Sequence, residues 1–178
     1  MRTAVFVERD GILNVERVER GQPMPPLAIE QLQHNPQAIE PLLRLKAAGY
    51  LLIATTNQPW VSRGVLPRRE LDLMHSILRR TFSLDDIFVC PHDHSEFCPC
   101  HKPRPGLLFE ASFKWKLNLE HCVVISNKWQ DAEAARNAGC TSILVESPWI
   151  GAGRGDAVVA RLGDVVSKLG KLQYTQAA

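Results

Sequence analysis

The sequence predicts an α/β fold: a doubly wound, Rossmann-like parallel sheet of about five strands. Two observations predict it. The apolar runs are short, β-rich and continuous, as strands buried on both faces should be. Each is followed by a longer stretch with helical periodicity and recognisable stops, the strand–helix alternation of a parallel sheet. The runs are Thr3–Val7, Tyr50–Thr55, Ile87–Cys90, Cys122–Ile125 and Ser142–Val145. Asn35-Pro36 reads as an N-cap with Pro at the first helical position, opening a helix to about Ala48 that Gly49 stops. Pro67 opens a second helix to Phe82, and Pro105 a third to Leu117. Trp129–Ala138 is a fourth, closed by Gly139, and an amphipathic stretch from Asp156 to Leu169 is a fifth.

Length and composition narrow the class. The chain has 178 residues, 45% hydrophobic and 22% charged, which suits a single folded domain and excludes disorder of the bulk. No apolar run approaches the roughly 20 residues that span a bilayer. The first run ends at Glu8, Arg9 and Asp10, too early for a signal peptide. A cytoplasmic monomer without membrane contact is expected. The net charge of +2 is small and spread along the chain, so no nucleic-acid footprint is expected; the pairs Arg68-Arg69 and Arg79-Arg80 read as solvated helix faces.

Right-handed crossovers put all strand C-termini on one edge, where such folds bind ligands. Polar residues concentrate there, in Glu8–Asn14, Thr56–Gly64, Cys90–Gly106, Ser126–Asp131 and Glu146–Gly151. One domain is expected over 1–178, with a flap-like loop at 15–34, an irregular loop at 90–106 and a frayed tail at 171–178. In the second loop, Cys90, His92, Cys98 and Cys100 form a Cys-x-His-x5-Cys-x-Cys set. Three thiolates and one imidazole make a closed tetrahedral zinc site, structural because no position stays open. His94 and His101 are possible substitutes; Cys122 and Cys140 read as core residues.

The strand ends, taken in order, read Glu8-Arg9-Asp10-Gly11, Thr56-Asn57-Gln58, Lys102-Pro103 and Ser126-Asn127-Lys128-Trp129-Gln130-Asp131. This series resembles the haloacid dehalogenase (HAD) superfamily of phosphatases over residues 3–150. The zinc loop with Lys-Pro directly after it is similar to the branch of histidinol-phosphate and D,D-heptose 1,7-bisphosphate phosphatases. The resemblance implies an acid at position 8 that attacks phosphorus. It implies Asp10 as general acid and base. Thr56, Asn57, Arg63 and Lys102 would hold phosphate and substrate, and Glu8, Asp10, Asn127 and Asp131 would surround Mg2+. Asn14 also fits the family pattern. Trp60 is a candidate wall of the pocket.

The sequence departs from that family at its active edge. Glu8 stands where the family has the nucleophilic Asp. Asn127 stands where it has a magnesium-binding Asp, after Ser126 instead of Gly. Pro59-Trp60 replaces Ser-Gly, and His101 replaces an Arg. A carboxylate displaced by about an ångström can lose about 100-fold in rate. An amide in place of a carboxylate weakens a site for a hard dication. The expectation is therefore a HAD-fold protein with phosphomonoesterase activity weak or lost and magnesium weakly held. Two alternatives stay open. One is an active Mg2+-dependent hydrolase of a small phosphorylated metabolite, since 178 residues leave no room for a large cap. The other is a non-catalytic module that binds a phosphorylated ligand, or a partner, through Thr56, Asn57, Lys102 and Lys128.

Overall fold

A computed structural model describes residues 2–151 and 155–176, with side chains through Leu172. The elements alternate as the apolar runs require. They are β1 (Ala4–Glu8), a hairpin of β2 (Arg17–Glu19) and β3 (Gln22–Met24), α1 (Ile39–Ala47), β4 (Leu51–Asn57), α2 (Arg68–Thr81) and β5 (Asp86–Cys90). Then follow α3 (Gly106–Trp115), β6 (Val123–Ser126), α4 (Trp129–Ala138), β7 (Thr141–Val145), β8 (Ala157–Val159) and α5 (Val165–Gln176). The main sheet has the order β5-β4-β1-β6-β7-β8, and all its pairings are parallel.

β1 is buried along its whole length and its side chains alternate between two cores. Val5 and Val7 pack with Leu42, Leu45 and Leu169 on the α1/α5 face. Ala4 and Phe6 pack with Leu107, Ala111 and Ala135 on the α3/α4 face. The chain steps outward from β1 to β4 and β5, then crosses back to lay β6 on the other side of β1. That reversal opens a crevice at the carboxyl ends of β1 and β6. Glu8 closes β1, and Asn127 follows β6 directly.

One expectation needs correction. The sheet has six strands, not about five, because Ala157–Val159 adds an edge strand where the amphipathic pattern suggested helix. Asp156 pins it: its carboxylate accepts from the Ser142 backbone N–H and hydroxyl at 2.7 and 2.8 Å. Three residues are too few to show a period, whereas parallel pairing to Ile143–Val145 satisfies their backbone. Of the tail expected to fray from residue 171, residues 171–176 belong to α5, and residues 177–178 lie outside the described part. The 15–34 segment holds the β2–β3 hairpin and a 3-10 turn at Ile29–Gln31. No described helix is long and apolar enough to cross a membrane.

Candidate active site and metal loop

The sheet's carboxyl edge brings together residues that are far apart in sequence. A cleft of about 280 Å3 opens there, with Glu8, Asp10, Asn57, Lys102, Lys128 and Asp131 among its walls. Trp60 also faces it; Thr56, Arg63 and Asn127 do not line it.

Glu8 is buried at 4% exposure and both of its oxygens are engaged. Oε1 turns back on the main chain and accepts from the N–H groups of Arg9 and Asp10, at 3.0 and 3.2 Å. Oε2 accepts from the Lys102 ammonium. Lys102 also donates to Asp131 Oδ1 at 2.6 Å and to the Thr55 carbonyl at 3.1 Å. Burial opposes the Lys102 charge, but Asp131 and Glu8 outweigh it and hold the ammonium protonated. Asn57 fixes the lysine's backbone, donating to its carbonyl and accepting from its N–H, both at 3.1 Å. Burial pushes Glu8 up to about 7; Lys102 pulls it down and Asp131 adds to the rise.

Glu8 therefore binds its proton more tightly folded than unfolded. Its contribution to stability is intact below pH 4.5 and is lost as pH rises through about 7. One pKa unit corresponds to about 1.4 kcal/mol. Urea unfolding should show stability relative to Glu8→Gln falling from pH 4.5 to 7.5, by up to roughly 3 kcal/mol. A difference that does not change over this range would place Glu8's proton affinity near that of an exposed carboxyl.

Asp10 is held differently. Its carboxylate accepts from Arg9 Nε at 3.0 Å and Arg9 Nη2 at 3.1 Å, and from Gln58 Nε2 at 2.7 Å. Gln58 also donates to the Thr56 hydroxyl at 2.8 Å, which sits 3.5 Å from Asp10. Burial alone would raise Asp10, but the Arg9 charge, then Lys128 and the hydrogen bonds, keep its carboxyl below the ordinary value. Arg9 is fully buried, and its Nη1 donates to His75 Nε2 at 3.3 Å. Burial and the Arg9 charge push His75 down to about 3, so its imidazole is neutral and can accept. Removing one partner of a buried pair costs about 3–5 kcal/mol. Arg9→Met should lose about that much in urea unfolding; a loss under about 1 kcal/mol would mean that Gln58 and Lys128 suffice for Asp10.

The residues that the resemblance assigns to Mg2+ are heavily engaged by protein donors. Asp131 Oδ2 accepts from the Ser126 hydroxyl at 2.9 Å. The Asp10 carbonyl accepts from Lys128 Nζ. Asn127 donates its amide to Glu16 Oε2 at 3.3 Å, and its own Oδ1 is buried without a partner. Both Glu8 oxygens and Asp131 Oδ1 are bonded as described above. Magnesium demands near-octahedral oxygen ligation, and an ammonium beside it is repulsive. The set fits a dication poorly. Gly11 permits this packing: its φ is +93°, and a Cβ there would lie 2.2 Å from Asn127 Nδ2 and 2.6 Å from Glu16 Oε2.

Cys90, His92, Cys98 and Cys100 converge, with their ligand atoms all within 4.8 Å of one another. The neighbouring edges are Cys90–Cys98 3.5 Å, Cys98–Cys100 3.4 Å, His92 Nδ1–Cys100 3.3 Å and Cys90–His92 Nδ1 3.7 Å. Zinc bonds of about 2.0–2.3 Å give tetrahedral edges of about 3.3–3.8 Å, so the set fits that ion. His101 also nears Cys90, at 3.6 Å, but its Nδ1 bonds the His92 carbonyl at 3.1 Å. His94 is outside the converging set. The loop packs tightly on α3: a Cβ on Gly106 would meet the Pro99 carbonyl at 2.4 Å. Arg63 turns to this loop, pairing with Asp93 and stacking 4.9 Å from the Trp60 ring.

Sequence reasoning missed Arg9, Glu16, Gln58 and His75. Burial of Arg9 has no local signal, and His75 shares the α2 face of Leu71, Met74 and Leu78, where a lone histidine reads as core. Glu16 is one acid among several in a polar stretch, and only the fold brings it to Asn127, 111 residues away.

A family model described as HAD-hydrolase-like matches residues 99–171. The D-glycero-beta-D-manno-heptose-1,7-bisphosphate 7-phosphatase of Pasteurella multocida is 32% identical over 149 residues, covering 78% of each chain. The enzyme of the same name from Helicobacter pylori strain J99 is 33% identical over 153 residues, covering 82% of this chain and 84% of its own. The fold matches the crystal structure of D,D-heptose 1,7-bisphosphate phosphatase from B. bronchiseptica, complexed with magnesium and phosphate, with a TM-score of 0.81 at 24% identity. That match covers 97% of this chain and 99% of the other. With these likenesses in sequence and fold, the chain belongs to the HAD-like hydrolases, in the branch of the heptose-bisphosphate phosphatases.

Proposed function

We propose that this chain binds a small phosphorylated metabolite, a sugar phosphate or a histidinol-phosphate-like ester, and hydrolyses it weakly or not at all. The carrying observation is Glu8: its two oxygens are spent on its own backbone and on Lys102. Attack on phosphorus needs a free carboxylate oxygen in line with the leaving group. Here that oxygen must first leave a buried ammonium. Asp10 adds to the case. To protonate a leaving alkoxide it must carry a proton, and Arg9, Lys128 and Gln58 favour its ionised form. In this reading Lys102 and Lys128 hold the phosphate and Asn57 positions Lys102, while Thr56 supports Asp10. Arg63 braces the metal loop, Trp60 walls the cleft, and the four-ligand loop carries structural zinc.

The reading takes the chain as one cytoplasmic domain acting as a monomer. The relatives' names favour the competing reading, an ordinary magnesium-dependent phosphatase. Phosphate release from heptose bisphosphate, histidinol phosphate and an aryl phosphate, with magnesium, separates the two. We expect turnover below about 0.01 per second; rates in the ordinary enzyme range of about 1–1,000 per second overturn the proposal.

A further inference from the structure

We infer that the cleft takes a phosphate monoester without any divalent cation, with the Lys128 ammonium as its resident positive charge and Glu16 as that charge's internal counterion. This rests on the reading of the cleft as a phosphate-ester site, and it goes further by assigning the charge carrier and a competitor for it.

Three observations carry it. Lys128 Nζ bonds the main-chain carbonyl of Asp10 and pairs with Glu16 Oε1 at 2.5 Å. Glu16, at 8% side-chain exposure, is buried at the base of the hairpin and receives the Asn127 amide on its other oxygen. The Asn127 amide and the Glu16 carboxylate lie over Gly11, whose φ of +93° favours glycine. Glu16 is thus held through both oxygens, one by Lys128 and one by Asn127.

The charges are consistent with it. The Lys128 ammonium lies beside the neutral Asn127, and Glu16 is the carboxylate paired with it. Lys128 keeps 17% side-chain exposure and lines the cleft with Lys102, so its third proton can reach an entering anion. A dianionic phosphate would compete with Glu16 for the same ammonium. Glu16 thus sets affinity by occupying the lysine when no ligand is bound. Magnesium entering here would have to displace Lys128 from the Asp10 carbonyl.

The test is calorimetric titration and thermal melting of the full chain with inorganic phosphate, in magnesium-free buffer containing micromolar zinc, and again with millimolar magnesium. Binding should be equal in the two buffers within about twofold. Lys128→Met should weaken it at least tenfold, Lys128→Arg should largely keep it, and Glu16→Gln should tighten it severalfold. Phosphate binding that appears only with magnesium overturns this inference and leaves the phosphate-ester reading standing. Unchanged binding by a folded Lys128→Met also overturns it. Binding in neither buffer overturns both. If Lys128→Met does not fold, the two-buffer comparison on the native chain and the Glu16→Gln variant still decide. Fast turnover by a native chain that binds phosphate in magnesium-free buffer would remove the proposal of weak hydrolysis and leave this inference intact.

Discussion

The double variant Glu8→Asp, Asn127→Asp should release phosphate from a sugar phosphate, with magnesium, at least about 100-fold faster than the native chain. Shortening residue 8 by one methylene withdraws its carboxylate from the fold-back onto the Arg9 and Asp10 N–H groups. A reacting atom displaced by about an ångström costs about this factor, so restoring its position should recover it. Aspartate at 127 supplies a carboxylate oxygen where Asn127 Oδ1 now lies buried and unpaired. That added charge draws a hard cation and repels Glu16, freeing Lys128 to swing toward solvent. The two changes act on one step, so they should be non-additive, with each single variant gaining far less than the pair. Steady-state phosphate release from the four proteins checks this. Native turnover equal to that of the double variant would mean that Glu8 and Asn127 already serve, and the proposal of weak hydrolysis fails.

Removing metal from the four-ligand loop should have the largest effect on stability. Structural zinc binds peptide sites with about 10–16 kcal/mol of apparent free energy, comparable to the whole stability of a typical domain. The 90–106 loop has one short 3-10 turn, at His94–Glu96, and otherwise depends on cross-links such as Arg104 to the Cys98 carbonyl at 2.6 Å. Lys102 follows Cys100 by two residues and is held at the cleft by Asn57. Loss of the metal therefore releases the lysine that ties Glu8 to Asp131. A strong chelator, or Cys98→Ser, should lower the melting temperature by on the order of 10 °C or more and abolish phosphate binding. Elemental analysis should find about one zinc per chain. A chain that purifies without zinc and melts unchanged in chelator would show that the cysteines only pack.

The sequence by itself determined the alternation of strands and helices, the position of helices such as Trp129–Ala138, and the clustering of Cys90, His92, Cys98 and Cys100. These are local facts. A buried strand or a helix stop is written in consecutive residues, and the four candidate metal ligands lie within eleven positions. Only the tertiary structure decided the edge strand Ala157–Val159, the turn of Arg63 toward Asp93, and the burial of Arg9 between Asp10 and His75. It also decided the clamp of Lys128 by Asp10 and Glu16, groups 118 and 112 residues distant in the chain. The physical reason is range. Local periodicity reports which face of an element is apolar, but a buried charge finds its partner only when the sheet order brings separate strand ends to one edge.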